Sequence, residues 1–441
     1  MHHVRAAIAR GDTTAPREIE ESITIAQAEA CRHVFLKPTF EEARRAASDP
    51  GSGQRPLAGL AVSVKDLFDV RGEATAAGSV ALAGSPPAAQ DAPAVARLRA
   101  AGAAILGRTN MTEFAYSGVG ANPHFDTPWN PADRATRRIP GGSSSGAAVS
   151  VATGAAFVGL GSDTRGSIRT PAALCGVVGF KNTARLVPTD GCVPLSTTLD
   201  TVCAMTRSVP DAILVHELLS GTTIPRADVP MSGYRLAVAR NVMLDALEAP
   251  VARAFERAIK ALRDAGAAVE EVDLPAIDDI GPMQAIGGFG AAESYAWHRQ
   301  LLARAGDRYD PRVRKRVEGG AAMKAYEYLE LFGARAAAMA KLQASLRGFD
   351  AVLSPTVPLV APPFAQVAPG AERDDEFFRV NALLLRNTSI VNMVDGCAIS
   401  IPCHAPDELP VGLMIWQGAL HDAAVLNVAA QAEATLQKTR A

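Results

Sequence analysis

Two glycine–serine turns lie close together in the chain: GGSSSG at residues 141–146 and GSDTRGSIRTP at residues 161–171. A serine hydroxyl attacks a carbonyl once a neighbouring group takes its proton. Glycine lets the backbone turn tightly and aim its N–H groups at one point. Ser143, Ser144, Ser145 and Ser167 are therefore candidate nucleophiles. Lys65, directly after the apolar-flanked residues 62–64, is a candidate base. Lysine serves as a base only when neutral, and burial lowers its pKa by removing water from the ammonium. A tight turn before Ser167 could direct the N–H groups of Thr164, Arg165, Gly166 and Ser167 toward one point, the arrangement that stabilises an oxyanion.

Each feature also has a structural reading. Lys65 could end a strand at the surface, and Ser144 or Ser145 could cap the Ala-rich stretch that follows. Residues 142–146 also fit G-x-S-x-G, the nucleophile elbow of another hydrolase class. That elbow needs a strand directly before Gly142, and DRATRRIP at 133–140 is not one. The histidines His124, His216, His298, His404 and His421 sit in unrelated local contexts and suggest no competing triad.

The elements that would position these residues follow from periodicity and punctuation. Residues 60–64 alternate and read as a strand that delivers Lys65 to its end. The run between the two turns fits a packed helix and strand. Residues 92–101 read as a helix stopped by Gly102, followed by a strand at 103–106. The same unit recurs as a strand at 235–239, an amphipathic helix at 250–265 and a strand at 268–272. Residues 300–347 read as surface-facing helix, 351–357 as a buried strand, and the Pro/Gly-rich 358–370 as a loop suited to a lid. Strands at 398–402 and 411–415 and a helix at 421–434 close the chain. Strands alternating with amphipathic helices predict an α/β fold with a largely buried sheet, and the lack of an internal repeat or low-complexity linker favours one large domain over 1–441. Its expected segments are an N-terminal helical part (1–55), a catalytic core (56–215), a βαβ unit with a helical region (216–350), and closing strands with a terminal helix (351–441).

Of the 441 residues, 48% are hydrophobic and 20% charged, the balance of a soluble protein with a large core. Lys and Arg number 44 against 46 Asp and Glu, which gives no reason to expect a nucleic-acid or anionic-membrane partner. The six cysteines show no metal-ligand spacing and read as buried apolar side chains in a reducing compartment. The N-terminus has no secretory apolar core, and the apolar run 146–161 is shorter than the ~20 residues that span a bilayer. A cytoplasmic location is expected.

The chain resembles the amidase signature family of serine hydrolases. The matching stretches are GLAVSVKDLFD at 59–69, GRTNMTEF at 107–114, the whole span 140–200, FDAVLSPT at 349–356 and LPVGLM at 409–414. The likeness covers about residues 55–435, and the separation of Ser143 and Ser167 fits the family. The resemblance implies a catalytic set of lysine, a serine preceded by a cis peptide, and a nucleophilic serine: Lys65, Ser143 and Ser167. It implies a central mixed, twisted sheet covered by helices on both faces, and that Gly141, Gly142 and Ser144 support the site. It implies hydrolysis of an amide C–N bond in a small carboxamide through an acyl-enzyme, with no metal or organic cofactor. Several relatives are dimers, so a homodimer is compatible with the resemblance.

This chain departs from the family's small residue at Arg165. Two accounts stand: an arginine turned outward or into an ion pair, or one that reaches the pocket and binds a substrate carboxylate or carbonyl. Arg169 is expected to pair with Asp163. Met111 aligns with a segment that lines the acyl pocket in relatives. Two further functions share the fold: the glutaminase subunit of a tRNA-dependent amidotransferase, and a catalytically silent binding protein. The run ARLVPTD at 184–190 differs from the Tyr-Gly-Arg-Val-Ser-like run usual in such subunits.

Overall fold

The computed structural model describes residues 1–285 and 287–440. Ile286 and Ala441, inside the expected 216–350 and 351–441 segments, lie outside the described residues. In chain order the strands are β1 (Phe35–Pro38), β2 (Ala61–Lys65), β3 (Ala104–Thr109), β4 (Val158–Asp163), β5 (Val178–Lys181) and β6 (Thr201–Thr206), then β7 (Arg235–Ala239), β8 (Ala268–Val272), β9 (Ala351–Pro355), β10 (Cys397–Pro402) and β11 (Gly412–Gln417). They form one 11-stranded sheet in the order β1-β3-β2-β4-β6-β5-β10-β11-β9-β7-β8.

The sheet is mixed, as expected. β3, β2 and β4 run parallel, as do β9, β7 and β8, while the strands between β4 and β9 pair antiparallel. Successive side chains of a strand face opposite ways, and every residue of β2, β3, β4, β6, β9 and β11 is buried. Both faces of the central sheet are therefore covered. The helices Ser145–Thr153, Arg169–Cys175, Val209–Ser220 and Asp422–Arg440 pack on it. Exposed strand positions are confined to the outer β8, the short β1 and the first residue of β7.

The expected strands and helices are present with ends shifted by a residue or a few. β1, β5 and β6 and the helices Val209–Ser220 and Asp374–Met393 were not anticipated. Residues 300–347 are helical, in Gly288–Ala305, Pro311–Gly319 and Ala325–Ser345, but not simply surface-facing. Leu301, Val313, Val317, Leu331 and Leu342 are buried. The stretch 358–370 holds a short helix, Phe364–Val367, and is pinned where the Ile139 N–H donates to the Pro362 carbonyl (3.1 Å) and the Phe364 N–H to the Arg137 carbonyl (2.8 Å). No described helix is long and apolar enough to cross a membrane.

Candidate active site

Three parallel strands end together, and their carboxyl ends carry the site. β2 ends at Lys65 beside Thr109 of β3, and β4 ends at Asp163. In open α/β sheets ligands bind outside such strand ends. Lys65 is fully buried; its Nζ donates to Ser143 Oγ at 2.8 Å and to Ser162 Oγ at 2.9 Å. Burial pushes the Lys65 ammonium down to about 7, against the opposing pull of Asp200 and Asp163. Lys65 can thus exist neutral near pH 7.

The Ser143 turn is built by close backbone packing. The Gly142–Ser143 peptide is cis, and Gly141 has a φ of 77°. A Cβ on Gly142 would lie 2.7 Å from the backbone of Gly120, so only glycine fits there. The Thr112 N–H donates to the Ser143 carbonyl (3.1 Å). Ser144 Oγ donates to the Ser162 carbonyl at 3.4 Å, and the Ser144 N–H donates to the Ser167 carbonyl at 3.4 Å. These two contacts tie the serine turns together.

Asp163 organises the Ser167 turn. Its carboxylate accepts from the N–H groups of Gly166 (2.8 Å), Ile168 (3.2 Å) and Arg169 (3.4 Å). It also forms the expected pair with Arg169, at 2.9 Å and 3.1 Å, both side chains fully buried. Asn392, on the unanticipated helix Asp374–Met393, bridges the pair: it accepts from Arg169 (2.6 Å) and donates to Asp163 (3.0 Å). Burial opposes ionisation of Asp163, but the Arg169 guanidinium outweighs it and holds the carboxyl down to about 2. One expectation is corrected here. The Gly166 N–H is taken by Asp163 and is not free for an oxyanion; Thr164, Arg165 and Ser167 remain. Gly166 itself is required: its φ is 130°, and a Cβ would come 2.2 Å from Thr388 Oγ1.

Ser167 and Thr164 line a cavity of about 240 Å³ that also takes in Arg165, Gln284, Phe289 and Arg316. Lys65 and Ser143 are fully buried and do not line it. Arg165 does not turn away: its Nη2 donates to Gln284 Oε1, and Thr388 Oγ1 donates to its carbonyl at 2.6 Å. Met111 is a second correction. It is fully buried in the core beside Gly78, whose Cβ would lie 3.0 Å from Met111 Cγ, and it is not among the cavity-lining residues. Nor, among the described residues, does any of 358–370 line the cavity; Gln284 and residues 287–291 contribute to its wall instead.

Sequence reasoning missed Ser162, Asp200 and Arg316. Asp200 accepts from Thr164 Oγ1 (2.6 Å) and from the Leu195 and Ser196 N–H groups, and burial pushes its carboxyl up to about 6. Ser162 was within reach of the sequence, since it lies inside the glycine–serine stretch 161–171, near the end of β4. Arg316, in a helix rich in arginine, carries no local signal.

The comparisons with known proteins show the family and the fold. The family model described as Amidase matches residues 19–426. The 2-amino-5-chloromuconic acid deaminase of Comamonas testosteroni is 36% identical over 88% of this chain and 84% of its own. A glutamyl-tRNA(Gln) amidotransferase subunit from Salinispora arenicola is 34% identical over 97% of this chain and 95% of its own. A crystal structure of an amidase superposes with a TM-score of 0.88 at 32% identity, covering 98% of each chain. The chain belongs to the amidase family and is an amide C–N hydrolase.

Proposed function

We propose that the protein hydrolyses the C–N bond of a small carboxamide through an acyl-enzyme on Ser167, with Ser143 as proton relay and Lys65 as base. The observation that carries this reading is the fully buried Lys65, its ammonium disfavoured, 2.8 Å from Ser143 Oγ. Neutral Lys65 takes the Ser143 proton while Ser143 takes that of Ser167. Ser167 Oγ forms a bond to the amide carbon, and the carbonyl electrons move onto oxygen. The N–H groups of Thr164, Arg165 and Ser167 receive that oxyanion. As the tetrahedral adduct collapses, the C–N bond breaks and the proton returns through Ser143 to the leaving nitrogen. Water then attacks the ester by the reverse relay and releases the acid. The six free cysteines suit a reducing cytoplasm.

A fluorophosphonate probe and peptide mapping test the assignment. The adduct is expected on Ser167 and is expected to form far more slowly in Lys65→Ala. An adduct on Ser143 or Ser144 instead would reassign the nucleophile.

The likeness to amidotransferase subunits favours a second reading, the glutaminase half of such an enzyme. Against it, no carboxylate among the described residues lines the cavity to receive the α-ammonium of glutamine. Glutamine hydrolysis that requires a co-purifying partner and charged tRNA would establish the second reading.

A further inference from the structure

The cavity beside Ser167 carries two cations without a counterion. Arg165 and Arg316 both line it, and neither forms an ion pair with a carboxylate among the described residues. Each is held by a neutral acceptor: Arg165 Nη2 donates to Gln284 Oε1, and Arg316 Nη1 to the Tyr116 carbonyl. The Arg316 guanidinium also lies 4.8 Å over the Tyr116 ring. A guanidinium presents five N–H donors in a planar fork, so most donors of both remain for a ligand.

The two groups also work against each other. Burial first, and then the neighbouring charge of Arg316, push Arg165 down to about 10; burial lowers Arg316 as well. Two like charges at a half-buried wall are tolerated best when an anion sits between them. The remaining wall combines apolar Leu199, Phe289 and Met393 with the neutral polar Ser117, Thr164 and Gln284, and among the described residues it includes no Asp or Glu.

We propose that Arg165 and Arg316 form a carboxylate subsite, so that the preferred substrates are half-amides of short dicarboxylic acids. The planar fork of arginine matches a carboxylate in bidentate fashion. With that end held by the arginines, a short apolar spacer lies against Leu199 and Phe289 and the amide carbonyl reaches Ser167. A neutral amide leaves both cations unanswered. A zwitterionic amino acid with a side-chain amide, such as glutamine, brings an ammonium to a wall that repels it. This proposal rests on Ser167 as the attacking residue and names the substrate class of that site.

The test compares kcat/KM for succinamate and butyramide in the wild type, Arg316→Gln and Arg165→Gln. The wild type is expected to prefer succinamate, and each variant to lower the succinamate-to-butyramide ratio by roughly 30-fold or more, as expected on removing one partner of a desolvated charge pair. A second measurement needs no turnover: succinate is expected to slow fluorophosphonate labelling of Ser167 in the wild type and not in either variant. An unchanged ratio together with no protection by succinate overturns the carboxylate subsite while normal labelling leaves Ser167 in place. Failure of Ser167 to label at all would instead count against the acyl-enzyme reading.

Discussion

Replacing Lys65 by methionine should abolish activity and, near neutral pH, make the protein more stable. The ammonium has an ordinary value of 10.5 and is pushed down to about 7 by burial in the folded chain. Between these values the unfolded chain binds the proton and the folded chain does not, so wild-type stability rises with pH across that window. The burial penalty is about 4 kcal/mol near pH 7 and shrinks to about 1 kcal/mol near pH 9.5. Methionine keeps most of the stem but leaves the Ser143 and Ser162 hydroxyls without their Nζ partner. That loss is about 2 kcal/mol. The balance is a gain of about 2 kcal/mol near pH 7 and a loss of about 1 kcal/mol near pH 9.5. At about 2 cal/mol/K of unfolding entropy per residue, a chain of 441 residues moves its melting temperature by about 1 °C per kcal/mol. Lys65→Met should therefore melt about 2 °C above wild type near pH 7 and about 1 °C below it near pH 9.5. Scanning calorimetry of both proteins at one scan rate reads this directly. A variant that is less stable by the same margin at both pH values would refute the claim that Lys65 is held neutral by burial.

Three other outcomes follow from the same geometry. The acid limb of kcat/KM should titrate near 7, the value of Lys65, falling about tenfold per unit below it because only neutral lysine accepts the Ser143 proton; a profile flat from about pH 5 to 8 would contradict this. Asp163→Asn leaves Arg169 charged, buried and unpaired, and should cost about 3–5 kcal/mol, read as a melting temperature lower by several degrees; an unchanged melting temperature would remove Asp163 from its organising role. Gly166→Ala drives a Cβ against Thr388 Oγ1 at 2.2 Å and displaces the N–H groups beside it. It should lower kcat by about 10²-fold, and a normal kcat would show that the turn need not keep its shape.

The candidate site residues were legible because their signals are local, while the division of roles among them came from the family resemblance. Lys65 follows an alternating run that could only be a strand, and Ser143 and Ser167 sit in glycine turns joined by one helix and one strand. What surrounds the substrate was not legible. The helix Asp374–Met393 buries Asn387, Thr388, Ser389 and Asn392, which interrupt its apolar periodicity and therefore hid it. Two of those polar residues, Thr388 and Asn392, hold the Arg165 carbonyl and the Asp163–Arg169 pair. Arg316 looked like one more charge on a solvated helix, because burial of a single face is set by partners distant in the chain. The Gly166 N–H was placed wrongly for a related reason. The sequence shows that a turn has donors, but only the position of the Asp163 carboxylate decides which are already taken.

Ser167 as the residue that carries the acyl group is the centre of the account. Ammonia release should be followed over a panel of aliphatic, aromatic, dicarboxylic and urea-like amides with wild type and Ser167→Ala. The wild type is expected to release ammonia from at least one small carboxamide, and Ser167→Ala from none above background. Turnover of the same amide by Ser167→Ala at a rate near wild type would contradict it.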